Sequence, residues 1–406
     1  MIFRFFATAA GVAFLVTPVL APADVVTQWN EKAIATATAA GQNPLVVGRT
    51  VTIMHVAMFD AVNSIENRYT PYALRTSAEP GSSAEAAAVA AAHAVLVALL
   101  PNQEPELEAA YSASLAQISV DGRDSGVIVG QRVAAEILAR RASDGANASK
   151  SYRPLTAPGV YVPTSAPLAP HWGDITPWVM ERGSQFRPGP PPRLTSEQWA
   201  RDYNEVRLFG AKRGSVRSAE QTDIGRFWIL VGSASWFPIV RQIADSPGRS
   251  LIDNARLHAL VAIATADAYI AVFDAKYAYN FWRPITAIRN GDIDGNDATT
   301  RDPDWEPLID TPPHPEYPCA HCITSSAVAT ILDAEVGSGA IAKVTMTSPT
   351  APGFIRNWNT TREYVEEVSV ARIYGGVHYR TSAVVGREMG RKIAELALRE
   401  RMRPLQ

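Results

Sequence analysis

Lys276-Tyr-Ala-Tyr-Asn-Phe-Trp-Arg283-Pro284 is the stretch on which the reading of this chain turns, with Pro318-Cys-Ala-His321 and Arg372-Ile-Tyr-Gly-Gly-Val-His378 following it in that order. Lys276, Arg283 and Arg372 supply three fixed cations. His321 supplies an imidazole for acid/base work, and His378 one that can act as ligand or nucleophile. Guanidinium groups present paired donors to oxyanion oxygens and an ammonium acts as a point charge, so the set suits a tetrahedral oxyanion such as phosphate or vanadate. Taken singly, each cation reads as an ordinary surface charge. Their joint spacing points to one site.

Local patterning gives each group an expected place. A helix over Ser250 to Trp282 is expected, closed by Pro284, because proline disfavours helix in the residue before it. Lys276 and Arg283, close to two turns apart, then lie on one face of that helix. Arg372 and His378 would be about 240° out of phase on an unbroken helix. Gly375-Gly376 resolves this by breaking the helix, so that both side chains can aim at one point. His321 opens an apolar helix, Ile323 to Val336, whose N-terminal N–H groups and dipole favour an anion.

The three motifs in this order resemble the phosphatidic acid phosphatase type 2 / vanadium haloperoxidase superfamily. His55-Val-Ala-Met-Phe-Asp60-Ala-Val-Asn63 and the run from Trp29 onward resemble bacterial vanadium-dependent haloperoxidase-like proteins, so the likeness covers nearly all of the chain after its leader. The resemblance implies an all-α helical bundle with a helical N-terminal elaboration and, as cofactor, vanadate held by His378, a site phosphate can also occupy. It implies Lys276, Arg283 and Arg372 as the clamp on the anion's oxygens, with Cys319 and Ala320 beside it, and His321 as the acid/base. The substrates implied are hydrogen peroxide and halide, and the runner-up is a soluble acid phosphatase in which His378 attacks a phosphomonoester. A third reading is a catalytically weak oxyanion-binding protein. His314 stands where algal bromoperoxidases carry histidine and fungal chloroperoxidases phenylalanine, which leans toward bromide.

Three positions depart from the family pattern. Cys319 replaces a serine that donates to the oxyanion, and a thiol is a longer and weaker donor. Ala320 replaces glycine. Ser382 stands where an aspartate often orients the ligand histidine, so the sequence implies a less basic His378. Cys319 and Cys322 either form a short disulfide or remain free thiols; haem attachment fails because Ile323 follows Cys322.

Composition sets the outer limits. With 406 residues and 47% hydrophobic content the chain can bury a large core. A net charge of -2 with scattered basic residues argues against a nucleic-acid partner. Arg4, the apolar stretch Phe5 to Leu20 and Ala21-Pro-Ala23 read as a signal peptide over residues 1–23, and so as a periplasmic or secreted protein. Residues 24–406 are expected to form a single helical domain, with N-terminal helices and a long loop over 24–195 and the core bundle over 196–406. The runs Ala84 to Leu100 and Leu257 to Tyr277 are not convincing spans, so no membrane is expected after cleavage, while a homo-oligomer stays open. Between Asp144 and Pro192 a Pro-, Gly- and Ser-rich segment reads as a long loop that can help to roof the site. Asn290-Gly-Asp-Ile-Asp294-Gly295 begins like a calcium loop, but Arg301 stands at its twelfth position, so it reads as an acidic turn. Asp223 is read as a partner for a site arginine, and His55, His93, His171 and His258 as structural.

Overall fold

The apolar residues of the longest helical segment are spread around its whole circumference, which places it inside the protein. In the computed structural model, which describes residues 23–337 and 344–405, that segment is α9 (Leu251–Tyr279), buried along almost its full length. Ser250 and Asp253 form a reciprocal capping box at its start, and Asn280 in the left-handed conformation ends it. Before it come α1 (Val25–Ala39), α2 (Pro44–Glu66), α3 (Ala84–Leu99), α4 (Glu104–Ala116), α5 (Arg123–Arg141), α6 (Glu197–Phe209), α7 (Ala219–Phe227) and α8 (Phe237–Ala244). After it come α10 (Pro284–Arg289), α11 (Ala320–Val336), α12 (Thr361–Tyr374) and α13 (Arg380–Glu400). The fold is all-α apart from one feature that helical patterning does not announce, an antiparallel pair of short strands, β1 (Val344–Thr347) and β2 (Ile355–Trp358), with Val344 opposite Trp358.

Helices α2, α11 and α13 all pack on α9, and one buried apolar cluster runs from α1 to the end of α13. The contact of α11 with α13 is close because Gly390 has no side chain: a Cβ there would lie 2.0 Å from the Ile323 carbonyl oxygen. Helices α2 and α9 are long and apolar enough to cross a membrane, but 83% of the apolar window of each is buried within the protein. The proposed leader, residues 1–23, falls almost wholly outside the described residues.

No α-helix forms between α5 and α6, as the composition of that segment suggests. The loop is fastened to α9. Asp267 accepts hydrogen bonds from the backbone N–H groups of Trp178, Val179 and Met180, Arg187 makes a paired contact with Asp274, and the Tyr277 hydroxyl donates to the Leu168 carbonyl. Asp60 on α2 does the same for the N–H groups of Tyr72, Ala73 and Leu74. In the acidic turn, Asp294 is buried and accepts from Trp199 and Thr299, so it is a structural turn.

Candidate active site

The helix that carries Lys276 stops at Tyr279, three residues earlier than the sequence suggests, so Lys276 and Arg283 do not share a helix face. Arg283 instead precedes α10 in extended conformation. The two side chains still converge, because both reach the same short strap, His314-Pro315-Glu316. Lys276 Nζ donates to the carbonyl oxygens of Pro315 and Glu316 at 2.9 and 2.8 Å. Arg283 donates through Nε to the His314 carbonyl and through Nη2 to His314 Nδ1, both at 2.9 Å. His314 Nδ1 also lies 3.2 Å from the Pro315 carbonyl oxygen, so a donor-only guanidinium and an acceptor-only carbonyl both meet this nitrogen.

The break at the double glycine is present. Helix α12 ends at Tyr374, and Gly376 adopts φ +75°, a left-handed turn that an L side chain rarely enters. The turn leaves Arg372 in the last turn of α12 and His378 in the short link before α13. His378 Nδ1 lies 2.7 Å from Glu316 Oε1, and its Nε2 lies 3.2 Å from Arg283 Nη1. The sequence offered no carboxylate for this histidine once Ser382 replaced the usual aspartate. Glu316 corrects that expectation, supplying one from a different part of the chain. Its only signal in the sequence is that it is the single acidic residue between His314 and His321.

Cys319 and Cys322 are joined in a disulfide, and both are fully buried. Cys319 therefore has no thiol proton to give an oxyanion, and it leaves the donor set proposed for it; its Sγ instead accepts from the Cys322 N–H at the start of α11. Ala320 is the first residue of α11. His321 Nε2 lies 3.2 Å from the Leu230 carbonyl oxygen, which can only accept, so Nε2 carries the proton and Nδ1 is the free base. Asp223 is half-exposed beside Arg226 and touches none of the three site cations, so its reading as a partner for them fails. The four other histidines keep structural contacts: His55 with Asn30, His93 with Glu108, His171 with the Ala146 carbonyl and His258 with the Asn254 carbonyl.

His314, Ala320, His321, Arg372 and His378 line one cavity of about 180 Å³, whose remaining wall includes Pro44, Leu45, Leu168, Val231, Tyr269 and Phe273. Leu168 comes from the long loop, which thus contributes to the roof. Arg283 touches two of the three wall histidines, His314 and His378, and Lys276 stands behind the strap. Burial, and next the charge of Arg283, holds Lys276 well below its usual range. Burial draws Arg283 down to about 10 and, with the charge of Arg283 added, Arg372 to about 9, so both guanidiniums remain charged at neutral pH. Glu316 is raised to about 7 by burial against the pull of Lys276 and Arg283. His314, His321 and His378 are all pushed well below the usual imidazole range, first by burial and then by neighbouring cations.

The charge balance bears on what such a site can hold. Lys276, Arg283 and Arg372 are all buried here, the Glu316 carboxyl is in contact with His378, and Arg372 Nε is a buried donor without a partner. Buried unpaired charge is costly, so these residues fit an oxyanion as the missing counter-charge. Among the described residues no group of three or more His, Cys, Asp or Glu could hold a bare metal ion.

Residues 256–406, which contain every site motif, match the VCPO second helical-bundle domain. The C-terminal part of this chain is thus similar to a domain of vanadium haloperoxidases. The vanadium chloroperoxidase of Curvularia inaequalis is 27% identical over 289 residues, 54% of this chain and 47% of that protein, so the chain spans about half the length of that curated relative. The crystal structure of a bacterial vanadium-dependent iodoperoxidase superposes with a TM-score of 0.78 at 23% identity, covering 94% of this chain and 97% of that one. That of a holo-type bacterial vanadium-dependent chloroperoxidase gives 0.75 at 18% identity, covering 93% and 97%. At those identities the structural likeness establishes a shared vanadium haloperoxidase fold.

Proposed function

We propose that this chain is a vanadium-dependent haloperoxidase that oxidises halide, bromide by preference, with hydrogen peroxide. The observation that carries the reading is the cluster of three buried, under-compensated basic groups beside His378 Nε2 and a cavity wall that also holds His321. Arg372 and Arg283 would bind the oxygens of vanadate, Lys276 would add charge from behind the strap, and His378 would be its protein ligand through Nε2. When bound, vanadate supplies Lewis-acid activation of peroxide without a change of metal oxidation state.

The protein's own residues do the rest. His321, free at Nδ1, would take up a proton at that atom and give it back, serving as the acid/base of the site. His314 presents a polar imidazole edge to the cavity, and its resemblance to the algal enzymes underlies the bromide preference. The apolar wall limits water in the cavity, which strengthens each charge interaction there. An exported, oxidising location is part of this proposal, supported by the signal-like N-terminus and the Cys319–Cys322 disulfide.

A second reading, a soluble acid phosphatase, gains from Glu316. A carboxylate on Nδ1 makes Nε2 of His378 a better nucleophile than the sequence implies. Purified protein, with and without orthovanadate, should be assayed for peroxide-dependent bromination and for phosphomonoester hydrolysis. Vanadate-dependent bromination that is lost in His378→Ala is the expected outcome. Phosphatase turnover with no bromination at any vanadate concentration transfers the case to the second reading.

A further inference from the structure

We infer that Glu316 is the positioning residue that sets the tautomer and aim of His378, so that the strap 314–316, and not the helix that follows His378, determines how this site grips an oxyanion. The inference rests on the oxyanion reading above and adds to it which residue makes the grip directional.

Glu316 Oε1 sits 2.7 Å from His378 Nδ1 and also accepts the Tyr379 N–H at 3.1 Å. Arg283 Nη1 can only donate, so His378 Nε2 accepts from it and Nδ1 carries the ring proton toward Glu316 Oε1, which already acts as an acceptor for the Tyr379 N–H. The neighbouring atoms of the same strap hold the cations: the His314 carbonyl and Nδ1 take Arg283, and the carbonyls of Pro315 and Glu316 take Lys276. One run of three residues therefore fixes a ligand histidine and two cations relative to each other.

Ser382, four residues beyond His378 and in the first turn of α13, is buried close enough to help hold the Glu316 charge. Its hydroxyl and Glu316 Oε2 nonetheless form no aligned hydrogen bond. The position that would carry a carboxylate in the family pattern thus faces the residue that has taken over the contact. Regarded only as charge, Glu316 opposes an incoming anion, and deleting it should tighten binding. Its contribution to an anion site is therefore directional, and the two effects predict opposite signs.

The test uses the full chain and two readouts. Calorimetry with orthovanadate, and separately with inorganic phosphate, compares the parent with Glu316→Gln, Glu316→Asp and the double variant Glu316→Gln/Ser382→Asp. Nitrogen-15 spectra of histidine-labelled protein, assigned with His378→Ala, report the His378 tautomer with no anion present. Positioning predicts that Glu316→Gln weakens orthovanadate binding by about 10- to 100-fold, the usual cost of losing a residue that orients a ligand. It also predicts a mixed tautomer in Glu316→Gln, and recovery of most of both in the double variant. Glu316→Asp keeps the charge and shortens the reach, so it should weaken binding too, and it stands in if the glutamine variant does not fold. Equal or tighter binding by Glu316→Gln with an unchanged tautomer overturns the inference. A parent that binds neither anion overturns the oxyanion reading instead, and the tautomer comparison still decides the role of Glu316.

Discussion

Ser382 shows how one contact reverses an expectation at the scale of a residue. With Ser382 where an aspartate often stands, the sequence implies an imidazole short of a partner, and adding the carboxylate back should improve it. In the structure His378 already pairs with Glu316. Ser382→Asp would put a second carboxylate in the same buried space, where like charges disfavour ionising both. We predict that Ser382→Asp alone weakens orthovanadate binding by roughly tenfold or more, the scale of a disturbed ligand-orienting contact, and raises neither bromination nor phosphatase turnover. Calorimetry and the two activity assays check this, and a gain in either activity contradicts it. The cations and imidazoles were named from the sequence because each has a fixed place in a motif that carries the family resemblance. Glu316 was not, since its contact with His378 joins residues 62 apart.

At the scale of an element, α9 acts as the frame for the site and for its roof. Asp267 is fully buried, and its two oxygens hold three consecutive N–H groups of the long loop. Backbone donors buried without acceptors are expensive, so Asp267→Ala should destabilise the protein by about 1.5–3 kcal/mol, the range for hydrogen bonds to a charged group. The loss should also be local. Hydrogen exchange at residues 178–180 should accelerate more than exchange within α9, and urea unfolding should show a lowered midpoint. A variant with unchanged protection at those three amides would mean that the loop is held by its other contacts.

On the scale of the whole molecule, acid lability is built into the core where α2, α8 and α9 meet. His55 and His258 are both fully buried with ring centroids 5.0 Å apart, and Phe237 stacks on each. His258 donates from Nδ1 to the Asn254 carbonyl, and its Nε2 has no partner, so a second proton would be buried without an acceptor. Burial is the main cause that holds both imidazoles well below 6.5. A histidine depressed in the folded state contributes stability that is complete above its unfolded value and is lost as pH falls through the folded one. Stability of the parent should therefore drop more steeply below pH 6.5 than that of His258→Leu. The difference in slope can reach about 1.4 kcal/mol per pH unit, one proton's worth. Urea midpoints at pH 7, 6 and 5 measure it, and parallel slopes would remove His258 from the account.

Helical patterning and the resemblance carried by the three ordered motifs gave, from the sequence, a mostly helical chain, the irregular connection between α5 and α6, and the cations and imidazoles expected at the site. Those are local properties: helix spacing, the turn required at Gly376 and the chemistry of each side chain act within a few residues. Tertiary structure alone decided that α9 stops at Tyr279, that the strap 314–316 gathers Lys276, Arg283 and His378, and that the cysteines close a disulfide beside His321. It also decided that Glu316 replaces the carboxylate missing at Ser382. Each of these depends on which surfaces are buried against which. A buried donor must find an acceptor wherever the fold brings one, and that choice is made by packing between segments far apart in the chain.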